Sequence, residues 1–127
     1  MQTPREVAES YWAAECRRDI NAIMAHYQPD ATYQDGGGLL VGHAAIRGYY
    51  EASIADFPGL EVAILREFPR SSDTSAFEVR AVLTDHRGRR SVIEGLIAIT
   101  VRHDRMASIR CYEDPIRPEE TGGETAQ

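Results

Sequence analysis

Residues 60–112, LEVAILREFPRSSDTSAFEVRAVLTDHRGRRSVIEGLIAITVRHDRMASIRCY, decide the fold. Leu60–Pro69, Thr74–Thr84, Ser91–Val101 and Met106–Tyr112 are rich in strand-forming residues and read as long strands. The segments between them, Arg70–Asp73, Asp85–Arg90 and Arg102–Arg105, are short enough for hairpins, which predicts a meander. In Ser91–Val101 one face carries Ile93, Gly95, Ile97 and Ile99, and the other carries Val92, Leu96 and Ala98. A sheet apolar on both faces needs a core on one side and cover on the other, so the second face predicts a homodimer.

Upstream the period is helical. Thr3-Pro4-Arg5-Glu6 combines a cap, a proline at the first helical position and the acid of a capping box. The helix should run to about Arg18, with Val7, Tyr11 and Ala14 on one stripe that Ala8 and Trp12 widen. Asp19 can cap a second, short helix with Ile20, Ile23, Met24 and Tyr27 on its apolar face, ended by Pro29-Asp30. Ala31–Gln34 reads as a short strand, followed by the permissive loop Asp35-Gly36-Gly37-Gly38. A third helix begins at Gly42 or His43, carries Ile46, Tyr49 and Tyr50 at helical spacing, and breaks at Phe57-Pro58-Gly59. Helices followed by a meander make an α+β order. One domain over residues 1–114 is expected, with Pro115–Gln127 as a flexible tail.

The 127 residues suffice for one core. A hydrophobic share of 43% with 27% charged residues excludes global disorder. The net charge of −6 repels phosphate backbones, which argues against a nucleic-acid partner. All 14 basic residues are Arg, which removes Schiff-base chemistry and the phosphate-binding lysine of nucleotide loops. No apolar run is long enough to span a membrane, and the N-terminus lacks the apolar centre of a signal peptide, so a cytoplasmic protein is expected. Cys16 and Cys111 then read as reduced thiols. His26, His43, His86 and His103 have no companions at ligand spacing, so no metal site is expected.

Asp35 stands at a strand end before three glycines, where a side chain reaches a pocket mouth and a lone carboxylate can serve as a general base. The alternative is a turn aspartate bonded to its own backbone. Tyr11, Tyr27 and Tyr50 fall on the inward stripes of three helices, and buried phenols need partners. They either bond one another or are satisfied separately.

The stretch TPREVAESYWAAECRRDINAIMAHYQPDATYQDGGGLLVGHAAIRGYY resembles the bacterial ketosteroid isomerases of the nuclear transport factor 2-like superfamily, which also holds the SnoaL-like polyketide cyclases. The matching motifs are SYWAA around Tyr11, Tyr27 before PDAT, YQDG around Asp35, and Gly42 followed by AAIRGYY, with a fainter match through GRRSVIEG to SIRCYEDP. The resemblance implies a cone-shaped α+β barrel of three N-terminal helices on a curved, mostly antiparallel sheet. It implies Asp35 as general base, Tyr11 as the phenol donating to an enolate oxygen, Tyr27 and Tyr50 as its support, and Tyr49 as an aromatic packing on substrate. No cofactor is implied, and the partner is a small hydrophobic ligand.

The sequence departs from that pattern in one place. The family's second oxyanion acid, a protonated Asp, lands on Ile97. Glu94 lies an odd number of residues away and so faces the other side. Cys111 and Glu113 share the pocket parity of Ile109, which makes Glu113 a candidate replacement donor. The acids of the superfamily's epoxide hydrolases are not matched, since Glu78, Arg80 and Cys111 occupy those positions. The leading expectation is a proton shift α to the carbonyl of a small hydrophobic ketone. An aldol cyclase of a polyketide, or a non-catalytic ligand-binding module, remains beside it.

Overall fold

The computed structural model describes residues 1–120. Helix α1 (Pro4–Cys16) starts as its sequence dictates: the Thr3 hydroxyl accepts from Glu6 N while the Glu6 carboxylate accepts from Thr3 N. Helix α2 (Ile20–Met24) is capped by Asp19. It ends before Tyr27, which is the first residue of strand β1 (Tyr27–Asp35) rather than part of a helical face. Pro29 and Asp30 therefore lie inside β1. A register irregularity against strand β6 (Arg105–Glu113) between Tyr27 and Thr32 absorbs the proline, which has no N–H to donate.

The glycine segment is also tighter than expected. Asp35 pairs with Gly38, so Gly36-Gly37 is a two-residue hairpin turn leading into the short strand β2 (Gly38–Val41). Gly42 caps helix α3 (His43–Asp56) at φ 86, a left-handed conformation that favours glycine, and its N–H reaches Ala31 O at 2.8 Å. Strands β3 (Gly59–Pro69), β4 (Thr74–Thr84), β5 (Arg90–Arg102) and β6 then form the expected meander.

Among the described residues seven strands make one sheet, six of them in the order β2-β1-β6-β5-β4-β3, with β1 and β6 parallel and the other neighbours antiparallel. The seventh, β7 (Arg117–Pro118), pairs with Ser91 and Val92 of β5. The start of the expected tail is thus docked. Beyond Gly95, toward its N-terminus, β5 has no β6 partner, and Glu119 is drawn to Arg90 at 2.6 Å. Residues 121–127 of that segment lie outside the described residues.

Single extra residues at Leu65 on β3 and Ala107 on β6 shift the register and bend the sheet around the helices. Its concave face buries Phe77, Val79, Ile97, Ile99 and Ile109 against Val7, Trp12, Ile23, Ile46 and Tyr50 of the helices. The architecture is an α+β cone. On the convex face Arg80 pairs with Glu94 at 3.8 Å and Glu78 with Arg66 at 4.0 Å, so these side chains are surface groups. Leu65, Phe68, Leu96 and Tyr112 are exposed. No helix among the described residues is long and apolar enough to cross a membrane.

Candidate active site

The helices do not fill the wide part of the cone. A cavity of about 320 Å³ remains between α1, α3 and the concave sheet, within the size range of small-molecule sites. Val62, Val79, Ala81, Leu83, Ile93 and Ile97 make an apolar sheet wall. The polar groups come from the other side: Tyr11 and Glu15 from α1, Tyr49, Tyr50, Ser53 and Asp56 from α3, Tyr33 from β1, and Glu113 from β6. Ile116, from the segment before β7, also borders it.

Tyr11, Tyr27 and Tyr50 come together, although Tyr27 arrives on a strand. The Tyr50 hydroxyl is the hub: it bonds the Tyr11 hydroxyl and, at 2.7 Å, the Tyr27 hydroxyl. Tyr11 and Tyr50 border the cavity, and Tyr27 lies fully buried behind them. Burial holds all three phenols well above the ordinary phenol range, so they stay protonated and available as donors. A second chain runs from Cys111 Sγ to the Tyr33 hydroxyl at 3.7 Å and from there to the Tyr49 hydroxyl at 3.0 Å. Burial pushes Tyr49 and Cys111 each up to about 12.

Asp35 stands at the rim rather than in the wall. Its Oδ1 accepts from Gly37 N at 2.7 Å, the bond of a turn aspartate. It borders two further depressions beside the β1–β2 hairpin, one shared with Cys111 and Glu113 and the other with Tyr49. Ile97 and Cys111 face each other across β5 and β6 and both line the cavity. Glu113 also lines it, with its carboxyl raised first by burial and then by the negative charge of Asp35.

Among the wall residues that escaped the sequence reading are Tyr33 and Glu15. Tyr33 sits two positions before Asp35 and shares its strand parity. Glu15 lies four positions after Tyr11 and so shares its helical stripe. Its side chain is only 16% exposed, and Arg18 Nη1 stands 4.0 Å from Glu15 Oε1, beyond hydrogen-bond distance. Arg18 is occupied elsewhere, donating to Phe57 O at 3.0 Å and Ser53 Oγ at 3.1 Å. Burial pushes the Glu15 carboxyl up to about 7. The Tyr11 phenol and the Arg18 charge oppose the rise, and Glu113 adds to it.

A family model for the SnoaL-like domain matches residues 8–109. The chain belongs to the SnoaL-like domain family. No curated protein matches this SnoaL-like domain in sequence. Among solved structures, the Delta 5-3-ketosteroid isomerase of Mycobacterium sp. is similar with a TM-score of 0.83 at 17% identity, over 93% of this chain and 100% of that one. A Mycobacterium tuberculosis protein in complex with estradiol-17beta-hemisuccinate gives a TM-score of 0.78 at 20% identity, over 87% of this chain and 94% of that one. An epoxide hydrolase/cyclase-like enzyme of pyran ring formation in the polyether salinomycin gives 0.77 at 19%, over 87% and 90%. Identities this low carry the shared fold; the chemistry has to be argued from the side chains.

Proposed function

We propose that this SnoaL-like domain takes a small hydrophobic ketone into the cavity and shifts a proton α to its carbonyl. The observation that carries the reading is Tyr11: the residue borders a largely apolar cavity, and its hydroxyl is backed by the Tyr50–Tyr27 chain. Bonding to Tyr50 orients the Tyr11 phenol, and burial keeps it protonated. A donor aimed at a carbonyl oxygen stabilises the enolate that forms when the α-proton leaves. Asp35 takes that proton from the rim and returns it to another carbon. Its Oδ1 accepts from the Gly37 N–H, which fixes the orientation of the carboxyl group at the rim. The same pair would serve an aldol cyclisation, in which the enolate attacks a second carbonyl of the same substrate.

Deuterium exchange into a β,γ-unsaturated cyclic ketone, followed by NMR, tests the reading. Asp35→Asn is expected to slow exchange at least ~10²-fold, the lower range for a general base. Tyr11→Phe should slow it as well, through loss of an oxyanion donor. Wild type and Asp35→Asn binding the ketone equally, with no exchange above the buffer rate, would instead mark a ligand-binding module.

A second assignment of the base is favoured by Glu113 lining the cavity, which Asp35 does not. In that case Asp35→Asn retains exchange and Glu113→Gln loses it. We also propose a homodimer through the convex face, where Leu65, Phe68 and Leu96 border one groove. Light scattering at high micromolar concentration should give twice the 14.2 kDa chain mass; the mass of one chain would refute the dimer.

A further inference from the structure

The proton shift above has no use for two acidic wall residues, Glu15 and Asp56, and of these Asp56 is exposed whereas Glu15 is half-buried. Glu15 stands one helical turn from Tyr11 on the same face of α1 and borders the same cavity. Among the described residues its carboxyl oxygens make no hydrogen bond within ordinary distance, and its nearest cation, Arg18, donates instead to Phe57 O, Ser53 Oγ and the main-chain oxygen of Glu15. The sheet wall opposite offers no competing donor, since Ile93 and Ile97 there are apolar. A carboxyl in such a place is left with two partners, the Tyr11 phenol and whatever occupies the cavity.

We infer that Glu15, in its protonated form, is a second oxyanion donor, its O–H pointing beside the Tyr11 O–H at one ligand oxygen. The inference rests on the ketone reading above. The proton stays on Glu15: it is shared in a hydrogen bond that strengthens as the carbonyl oxygen gains charge, while the base removes the carbon-bound proton. The site then has its own pH dependence, because an ionised Glu15 repels the enolate it should stabilise.

Several groups face Glu15. On α1 this is Tyr11, in the turn after α1 it is Arg18, and on α3 they are Tyr49, Tyr50 and Asp56. Strand β1 presents Tyr33, and β6 presents Cys111 and Glu113. The parts of β3, β4 and β5 that line the cavity are apolar. The balance holds the Glu15 carboxyl up to about 7, so its protonated form persists to near neutrality.

The test uses the full chain and 4-nitrophenol, whose phenolate presents an oxyanion to the site as an enolate does, with nitrobenzene as the control that lacks it. Wild type should bind the phenolate, lowering the probe's own pKa. That affinity should fall roughly tenfold or more from pH 6 to pH 8, the direction expected when a charge-assisted hydrogen bond is replaced by a repelling charge. Glu15→Gln keeps a neutral donor and should lose this fall. Glu15→Leu should weaken phenolate binding at pH 6 by roughly tenfold or more, with nitrobenzene binding unchanged.

Phenolate binding by Glu15→Leu equal to wild type, with Tyr11→Phe weakened, overturns the inference and leaves the ketone site standing. So does the same pH profile in wild type and Glu15→Gln, which also decides the matter if the Leu variant does not fold. Failure of the wild type to bind either probe overturns both readings together.

Discussion

Replacing Tyr50 by Phe removes one oxygen and two hydrogen bonds. The Tyr50 hydroxyl is the shared partner of Tyr11 and Tyr27, and the three rings pack with centroids 5.9–6.3 Å apart, which Phe reproduces. The two orphaned hydroxyls differ in fate. That of Tyr11 borders the cavity and can turn toward its contents, whereas Tyr27 is 0% exposed. One buried polar group is therefore left unpaired, a cost of about 1–3 kcal/mol. With a urea slope of about 2 kcal/mol/M, a loss of about 2 kcal/mol moves the unfolding midpoint by about 1 M at unchanged slope. Adding Tyr27→Phe removes the orphan, so the double variant should regain about 1 kcal/mol or more over Tyr50→Phe alone. Tyr11→Phe should cost least, because Tyr50 keeps Tyr27. A Tyr50→Phe loss below about 0.5 kcal/mol, or a double-variant loss equal to the sum of the single losses, would refute the hub.

The Glu15 carboxyl, ordinarily at 4.5 and held up to about 7 in the fold, predicts a stability slope of definite sign. Its contribution is complete below the unfolded value and is lost as pH rises through about 7, about 3 kcal/mol in all; Glu15→Gln should remove that loss in urea titrations. Thr3→Ala breaks the capping box and should lower stability by about 1 kcal/mol, visible as a shift in thermal midpoint. A Cβ at Gly95 would meet Tyr112 O at 2.5 Å and Glu113 Cα at 2.7 Å, both backbone atoms of the neighbouring strand. Gly95→Ala should cost about 1–3 kcal/mol in urea unfolding, and a neutral result would show that β6 yields easily.

The meander was legible because each strand is rich in strand-forming residues and each connection is short. The bounds Thr74–Thr84 of β4 coincide with the expected ones, and the others differ by one or two residues. The region from Tyr27 to Val41 was legible in its motifs but not in its conformation. Pro29-Asp30 reads locally as a helix stop, yet the chain is already extended at Tyr27 because β6 pairs with it: Met106 N reaches His26 O at 2.7 Å. No local pattern carries a parallel pairing between segments this far apart in sequence. β2 was hidden for a related reason. Three glycines lower strand propensity, and only the tight turn at Gly36-Gly37 supplies the register that pairs Leu39 and Leu40 with β1. β7 has only two paired residues, fixed by the carboxylate of Glu119 between Arg90 and Arg80.

The candidate site divides along the same line. Helical stripes and strand parity place apolar residues reliably, because burial selects them at every turn, and Ile97 and Tyr50 fall where that logic puts them. A charged residue on an inward stripe reads against the pattern and is passed over. Glu15 follows Trp12 and Ala14 in an inward run, and as an acid it does not extend the apolar stripe by which that run is recognised. The fold makes the inward position tolerable only because the cone stays open at its wide end, leaving a cavity beside the carboxyl instead of packed side chains. An acid that breaks an inward stripe is therefore informative in itself. It marks where the interior is not filled, and here it lies one helical turn from the phenol that has the same cavity in front of it.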